Sequence, residues 1–594
     1  MALAAPLATM AAPVPAAPFL PANAAGDFGL FPATDFRIVD GGSADGAVSP
    51  QAWFYFEREP IAVPRPGRPV AGFGRGVTAF DDVRAWAATR LPAAPPDYPP
   101  LVWVAAPTIV RGATLAADGR TLTTVGAPLP MTPVARIPLN RSYWDASSVA
   151  FFAAPGRRAS VRGAIVDGTM VARTFWPDDF TLGGTAPPMA RSPAIPAAPS
   201  AVADHALALR ALMRKLPLGG ARAPYAATTL WQRPGAAPDW TGRPVIAFMV
   251  NGAQGDDDEA HGGHFAIATG RIRADGAIGD WLVNNFYSLD IESEKGILAA
   301  PVPLDNYLGD LNSGQGWYRP SYLLVAVLTD ARAAEVVQSA LGRVYQQFWR
   351  HQVVYYHPTD NCTSISIDTL RALGLSVPER GPTSRVAAWA GFPVHVLRDR
   401  SIDKAKLAFD YLVVDQTRLL PAAALEEIYA LLRRLGERGA GPPAPASVGD
   451  RADVRDPVAR ASVDDSASPA SLLARWLAAD LDALAFLRLP QFPSSRAFGA
   501  APAVTTWEYR SRLPDDPAKV QIVPVPPRPF PAALRDDDLL PPPAHPSDTA
   551  AMVWGALSVV GLPWALRSLW RRWQWWPRPR GSGGPAPNPP VSPP

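Results

Sequence analysis

Two short stretches carry residue types that could do chemistry together. One runs His261-Gly-Gly-His264-Phe-Ala-Ile-Ala-Thr-Gly-Arg-Ile272, the other His357-Pro-Thr-Asp-Asn361-Cys362-Thr-Ser-Ile-Ser-Ile-Asp-Thr-Leu370. Cys362 is the one cysteine of the chain. A thiol, an imidazole, an amide to orient the imidazole, and N–H donors for developing negative charge are the parts that nucleophilic acyl transfer needs. Thr359, Asp360 and Asn361 are all N-cap residue types. Ile367, Leu370 and Leu373 follow at helical spacing, and Gly374 can end the helix. Cys362 therefore falls in a first helical turn. There the unpaired N–H groups and the positive end of the dipole favour thiolate over thiol and can serve an oxyanion.

The imidazole needs its own support. His264 to Ile272 alternates as a strand, Asp275-Gly276 reads as a tight turn, and Trp281–Ser288 returns as the partner strand. An ideal hairpin sets His264 opposite Tyr287 and Ala266 opposite Asn285, because directly opposed residues share a face. His264, Ala266, Ala268, Asn285 and Tyr287 then line one side, with Phe265, Ile267 and Asn284 on the other. A one-residue bulge would exchange Asn284 for Asn285.

Plainer readings exist for each residue. A lone thiol is often simply buried. His261 and His264 beside Asp256, Asp257, Asp258 and Glu259 could hold a metal, but two His three apart on an extended Gly-rich segment do not share a face. The expectation is no metal and no cofactor. His357 is expected at a loop tip, with pocket lining as its alternative. His351 ends the preceding helix, where a cation suits the dipole. That helix spans Asp330–Arg350 and buries Val337, Leu341, Val344 and Phe348 as ordinary core. The run Gly72-Phe-Gly-Arg-Gly76 lacks the flanking strand and helix of a phosphate loop.

The rest of the chain supplies context. Its 594 residues are enough for several units. Residues 1–26 are rich in Ala, Pro and Leu, and serve equally as a signal-like segment or a disordered tail. Residues 27–200 read as an all-β, sandwich-like accessory domain, with strands at Ala52–Phe56, Leu101–Ala105, Thr121–Val125 and Ser148–Phe152. A hairpin, Ser160–Val166 and Thr169–Phe175, turns at Asp167-Gly168. A helix around Asp204–Leu216 opens a compact α+β segment over 201–436. Residues 437–548 read as a Pro-rich linker with one amphipathic helix at 472–487; fourteen prolines fall between Pro490 and Pro546.

Thr549–Leu566 carries no charge and is followed by Arg567, Arg571, Arg572, Arg578 and Arg580. Over 549–570 this predicts a transmembrane or interfacial helix, then a basic and disordered tail at 571–594. The arginines place the C-terminus in the cytoplasm and the body on the other side, periplasmic or otherwise extracytoplasmic. Trp573, Trp575 and Trp576 read as an interface anchor rather than a base-stacking surface. A net charge of +3 excludes a polycation built for nucleic acid. A single cysteine excludes an intramolecular disulfide and a Cys-rich zinc site.

The order of parts around the two stretches is a strand opening with Gly-His, a hairpin, a strand (Tyr322–Leu328), a helix, and a Tyr-rich approach to Asn-Cys-Thr at a helix start. It resembles the permuted branch of the papain-like NlpC/P60 cysteine hydrolases, in which His precedes Cys. In particular it is similar to the bacterial Lnb N-terminal periplasmic domain family (DUF4105), and more distantly to lecithin retinol acyltransferase-like proteins. The resemblance covers about 200 of the 594 residues. It implies a papain-like α+β domain with Cys362 as nucleophile, His264 as base, and Asn285 or Asn284 as orienting group. Tyr287, His261, His357 and Asn361 are further candidates. It implies hydrolysis or transfer at an amide or ester of a peptidoglycan peptide or a lipid. The alternative is a non-catalytic envelope protein that binds or scaffolds with the same fold.

Overall fold

The computed structural model describes residues 20–440, 472–494, 502, 504 and 505, except for 25, 41–47, 91–95, 125–126, 137–143, 184–208, 211, 214–223, 238, 253–261, 290–297 and 318. The N-terminal part holds strands β1 (Leu20–Pro21), β2 (Asp27–Phe28), β3 (Phe31–Pro32), β4 (Phe36–Val39), β5 (Ile61–Pro64), β6 (Val102–Trp103), β7 (Thr108–Leu115), β8 (Thr121–Thr123), β9 (Pro128–Pro133), β10 (Ala159–Val166) and β11 (Thr169–Pro177). Among them lie helices α1 (Pro50–Phe56), α2 (Ala79–Arg90) and α3 (Ala146–Phe152). One six-stranded sheet runs β1-β7-β10-β11-β9-β8; β4, β5 and β6 form a second sheet, and β2 pairs with β3.

This region is α+β rather than all-β, and two expected strands are helices. At Ala52–Phe56 the aromatic run suits a strand, but Ser49 accepts from the Ala52 N–H and Pro50 sits where a helix tolerates it, at the start of α1. At Ser148–Phe152, Asp145 and Ser148 form a reciprocal capping box that opens α3. The Leu101–Ala105 and Thr121–Val125 strands are present in shorter form as β6 and β8. The β10–β11 hairpin is present as expected, turning through Asp167 (φ 48°) and Gly168 (φ 74°).

The second half continues with β12 (Ala226–Gln232), β13 (Pro244–Asn251), β14 (His264–Arg271), β15 (Leu282–Asn285), β16 (Ala300–Pro303), α4 (Leu304–Gly309), β17 (Ser321–Leu328), α5 (Arg332–Phe348), α6 (Cys362–Ala372), α7 (Arg385–Asp399), α8 (Ile402–Val413), α9 (Gln416–Leu419), α10 (Pro421–Ala440), α11 (Leu472–Asp480) and β18 (Leu481–Leu489). The sheet order is β12-β18-β17-β13-β14-β15-β16, antiparallel throughout. β13 and β17 are buried along their whole length, as continuous apolar runs at a sheet centre should be.

One helix was expected over 472–487. Instead α11 stops at Asp480 and the chain continues as β18, buried except at Arg488, between β12 and β17. Leu- and Ala-rich letters serve either state; the two open ladders on either side decide for strand. The described helical residues near 204–216 are Leu209, Arg210, Leu212 and Met213.

The described residues fall into two compact units. One takes in 20–383 and 414–505; the other is the α7–α8 hairpin, 384–413. Within the first, buried polar links join the N-terminal sheet to the α4 region: Arg162 to Asp305 at 2.8 Å, Arg173 to Asp310 at 2.8 Å, and Thr174 to Asn306 at 2.7 Å. Among the described residues no helix is long and apolar enough to cross a membrane. The segment 549–570, the tail 571–594 and residues 1–19 lie outside the described residues.

Candidate active site

Cys362 is the first residue of α6. Asn361 caps the helix from the expected position, its side-chain oxygen accepting from Thr363 N at 2.8 Å and Ser364 N at 3.0 Å. The Asn361 amide nitrogen donates to the His357 carbonyl at 2.8 Å, so the cap also fixes the loop leading in. Arg418 of α9 holds the same loop from outside, donating to the Thr359 carbonyl at 3.0 Å and to Asp368 at 2.6 Å. Burial pushes the Asp368 carboxyl up, against the pull of Arg418.

The sheet side assembles around His264. The His264 ring Nε2 lies 2.6 Å from Asn285 Oδ1. Asn285 Nδ2 donates to the Leu298 carbonyl at 3.0 Å, which fixes the amide orientation and turns its acceptor oxygen to the imidazole. Nε2 therefore carries the proton, and Nδ1 is the basic nitrogen of the ring. The Asn285 backbone carbonyl accepts from Tyr345 Oη at 2.7 Å. Burial holds the Tyr345 phenol well above its ordinary 10.0, so it stays a donor. Phe286 stacks on Tyr345 at 4.3 Å, and Trp349 stacks behind it at 5.3 Å. Asn285 is thus held at its side-chain oxygen, its amide nitrogen and its backbone.

Asn284 faces the other way. It exchanges amide hydrogen bonds with Gln338 of α5, at 3.0 Å in each direction, and donates to the Ile267 carbonyl at 3.1 Å. The two strands keep the register expected from the sequence, with Ile267 opposite Asn284 and Ala268 opposite Val283. Their connection is not a two-residue turn: Gly276 N bonds back to Arg273 O, and Ala277 leaves to pair with Thr181. On the far side of His264, the strand pairing sets Asn251 opposite it, and Asn251 accepts from Tyr307 Oη at 2.6 Å.

Helix α6 packs against β14. A small hollow of about 10 Å3, room for about one water, is lined by Gly262, Gly263, His357, Asn361, Cys362, Thr363, Leu419 and Pro421. Cys362 therefore lines the same hollow as Gly262 and Gly263, the backbone that leads directly into His264. Gly263 is required there: its φ is 89°, and a Cβ would come within 2.6 Å of the Asn251 carbonyl oxygen. An aromatic chain runs from thiol backbone to imidazole. The Cys362 N–H donates to Tyr355 Oη at 3.4 Å; Tyr355 and Tyr287 rings lie 5.8 Å apart, Tyr287 and His264 rings 6.5 Å apart.

His357 sits in the tight turn closed by the Tyr356–Asp360 bridge, the expected loop tip, and from there also lines the hollow. One expectation changes. The Cys362 N–H, expected open to an oxyanion, is met by Tyr355, though 3.4 Å makes that bond weak. His351 follows α5 in a left-handed conformation (φ 57°), and its Nε2 bonds Tyr55 Oη. His261 and the acids 256–259 lie outside the described residues; among the described residues there is no cluster of three metal-binding side chains. Sequence reasoning missed Tyr345, Gln338, Arg418, Leu419 and Pro421. Tyr345 and Gln338 sit on a helix read only for its apolar face, and the other three come from a segment with no motif.

Comparison with family models, with curated proteins and with solved structures finds no match to this chain.

Proposed function

We propose that the protein is a cysteine hydrolase or acyltransferase acting on an amide or ester. The observation that carries this reading is the triply held Asn285 presenting its oxygen to His264 Nε2, on the strand against which the Cys362 helix packs. That is how an orienting amide fixes an imidazole tautomer with Nδ1 as base. The reaction follows from these groups. Cys362 gives its thiol proton to His264 Nδ1, its sulfur attacks the carbonyl carbon, the C–S bond forms, and the carbonyl electron pair moves to oxygen. The Cys362 N–H, released from its weak bond to Tyr355, donates to that oxyanion. Collapse expels the amine or alcohol, protonated by the His264 imidazolium. Water, or an alcohol or amine acceptor, then gives its proton to His264 and cleaves the thioester.

The resemblance to permuted NlpC/P60 hydrolases points to an envelope substrate, a peptidoglycan peptide or a lipid. A bilayer attachment through 549–570 and an extracytoplasmic body belong to the same reading. A second reading, a non-catalytic binding or scaffold protein, draws on one observation: Cys362 is 2% exposed.

One experiment separates them. The rate of Cys362 alkylation is measured against pH in the wild type and in His264→Ala. A catalytic pair predicts rapid alkylation near pH 7 that slows by about tenfold or more without His264. Slow alkylation at every pH in both proteins would sink the enzyme reading.

A further inference from the structure

The α7–α8 hairpin breaks the surface pattern that the rest of the described chain keeps. Among the described residues nine large hydrophobic side chains are exposed, and five of them fall within 386–402: Val386, Trp389, Val394, Leu397 and Ile402. A cluster this dense marks an interaction surface, whereas single exposed hydrophobics do not. Between Arg385 and Arg398, α7 has no Lys, Arg, Asp or Glu. Val386, Trp389, Pro393 and Leu397 recur at helical spacing and follow one side of the helix. The inner seam closes on itself: Ala388, Phe392, Ala405 and Leu412 are buried, and the Phe409 ring meets Phe392 and Trp389 edge-on at 6.1 and 4.9 Å. The outer stripe stays on the surface, with Val386 80% and Leu397 79% exposed.

The charges around it say what fits. Leu397, 79% exposed, and Ile402, 51% exposed, flank the turn that Arg400 makes in a left-handed conformation (φ 48°). Arg398, Arg400 and Lys404 are exposed at the same tip, and Arg385 at the other end of α7. Over 384–413 five cations face three anions, a net +2, and Asp403 is the one exposed anion. Apolar side chains at a tip framed by long cationic ones suit a bilayer surface: the hydrocarbon enters the acyl boundary while guanidinium and ammonium groups stay with phosphates. The same chain carries the uncharged run Thr549–Leu566 with arginines after it, whose composition suits a membrane. We propose that the α7–α8 hairpin docks on an anionic lipid surface, with Leu397 and Ile402 inserted at its tip. This stands independently of the thiol chemistry.

The test uses the full chain with Cys362→Ser, so that an environment-sensitive fluorophore can be attached at Leu397→Cys or, as control, at the exposed β10 residue Val166→Cys. Phosphatidylglycerol-containing vesicles should shift emission at position 397 to the blue and allow quenching by spin-labelled acyl chains. Pure phosphatidylcholine should do so much less, and position 166 should not respond. A label at 397 that stays in water while the chain sediments with the vesicles overturns the proposal, because attachment then runs through another segment. An equal response to neutral vesicles overturns the anionic requirement. A blue shift that needs no vesicles and grows with protein concentration assigns the face to a second copy instead.

Discussion

Asn284 and Asn285 are adjacent letters that the strand sends to opposite faces, and the two amides do different work. Asn285 holds the imidazole; Asn284 locks β15 to α5 through Gln338. Asn285→Ala removes the acceptor of a buried His264 N–H, and Asn284→Ala removes the acceptor of the buried Gln338 amide N–H, whose oxygen keeps Thr269. Each is expected to cost about 1–3 kcal/mol of stability. Only Asn285→Ala should also slow Cys362 alkylation at neutral pH, since only it frees the ring to rotate. Melting curves and alkylation rates on both variants check this. Equal loss of reactivity in the two would mean that reactivity tracks stability rather than imidazole orientation.

At the scale of elements, the His264–Asn285 relationship was legible because a strand has period two: once the pairing is fixed, every face is fixed. The register survives although the connection is a longer excursion, because buried residues on β14 and β15 set it rather than the turn. Helices α1 and α3 were also written in the sequence, as Ser49-Pro50 and the Asp145/Ser148 pair, but the aromatic and apolar runs beside them read as strands. β18 was not legible at all, since its partners lie far away in the chain. It predicts a truncation result. A chain ending at residue 470 loses the strand between β12 and β17, leaves both ladders open, and should be insoluble or unfolded by circular dichroism. A chain ending at residue 505 should keep the folded signal.

The excursion between β14 and β15 has its own pH signature. Burial works against the ionised Asp275 carboxyl, but the Ala277 N–H and Arg273 overcome it and hold the group below its ordinary 3.8. A carboxyl held low in the folded state contributes stability above its unfolded value, and that contribution fades as pH falls through the folded value. Asp275→Ala is therefore expected to melt earlier than wild type at pH 7 and to converge on it as pH drops below 3.8. The side chain is 59% exposed, so added salt should shrink the difference. A gap that widens in acid would contradict the assignment.

At the scale of the molecule, the question is whether the N-terminal sheet is an attachment or part of the body that holds the site. The Arg162–Asp305 pair argues for the latter. Its side chains are 2% and 4% exposed, and Arg162 Nη1 has no hydrogen-bond partner. Two such charges are tolerable only while they face each other, because each alone would be desolvated without compensation. Asp305 lies in the first turn of α4, which directly follows β16 of the site's sheet, and Arg162 belongs to β10, so neither sheet can leave without stranding a buried charge. Asp305→Ala is expected to cost about 3–5 kcal/mol, and Arg162→Met combined with Asp305→Leu to regain most of that loss. Denaturation followed by a tryptophan probe in each sheet should then give coincident transitions in the wild type. Transitions that separate in the wild type would make the N-terminal sheet an independent domain, and a double variant no more stable than Asp305→Ala would remove the buried pair as the link.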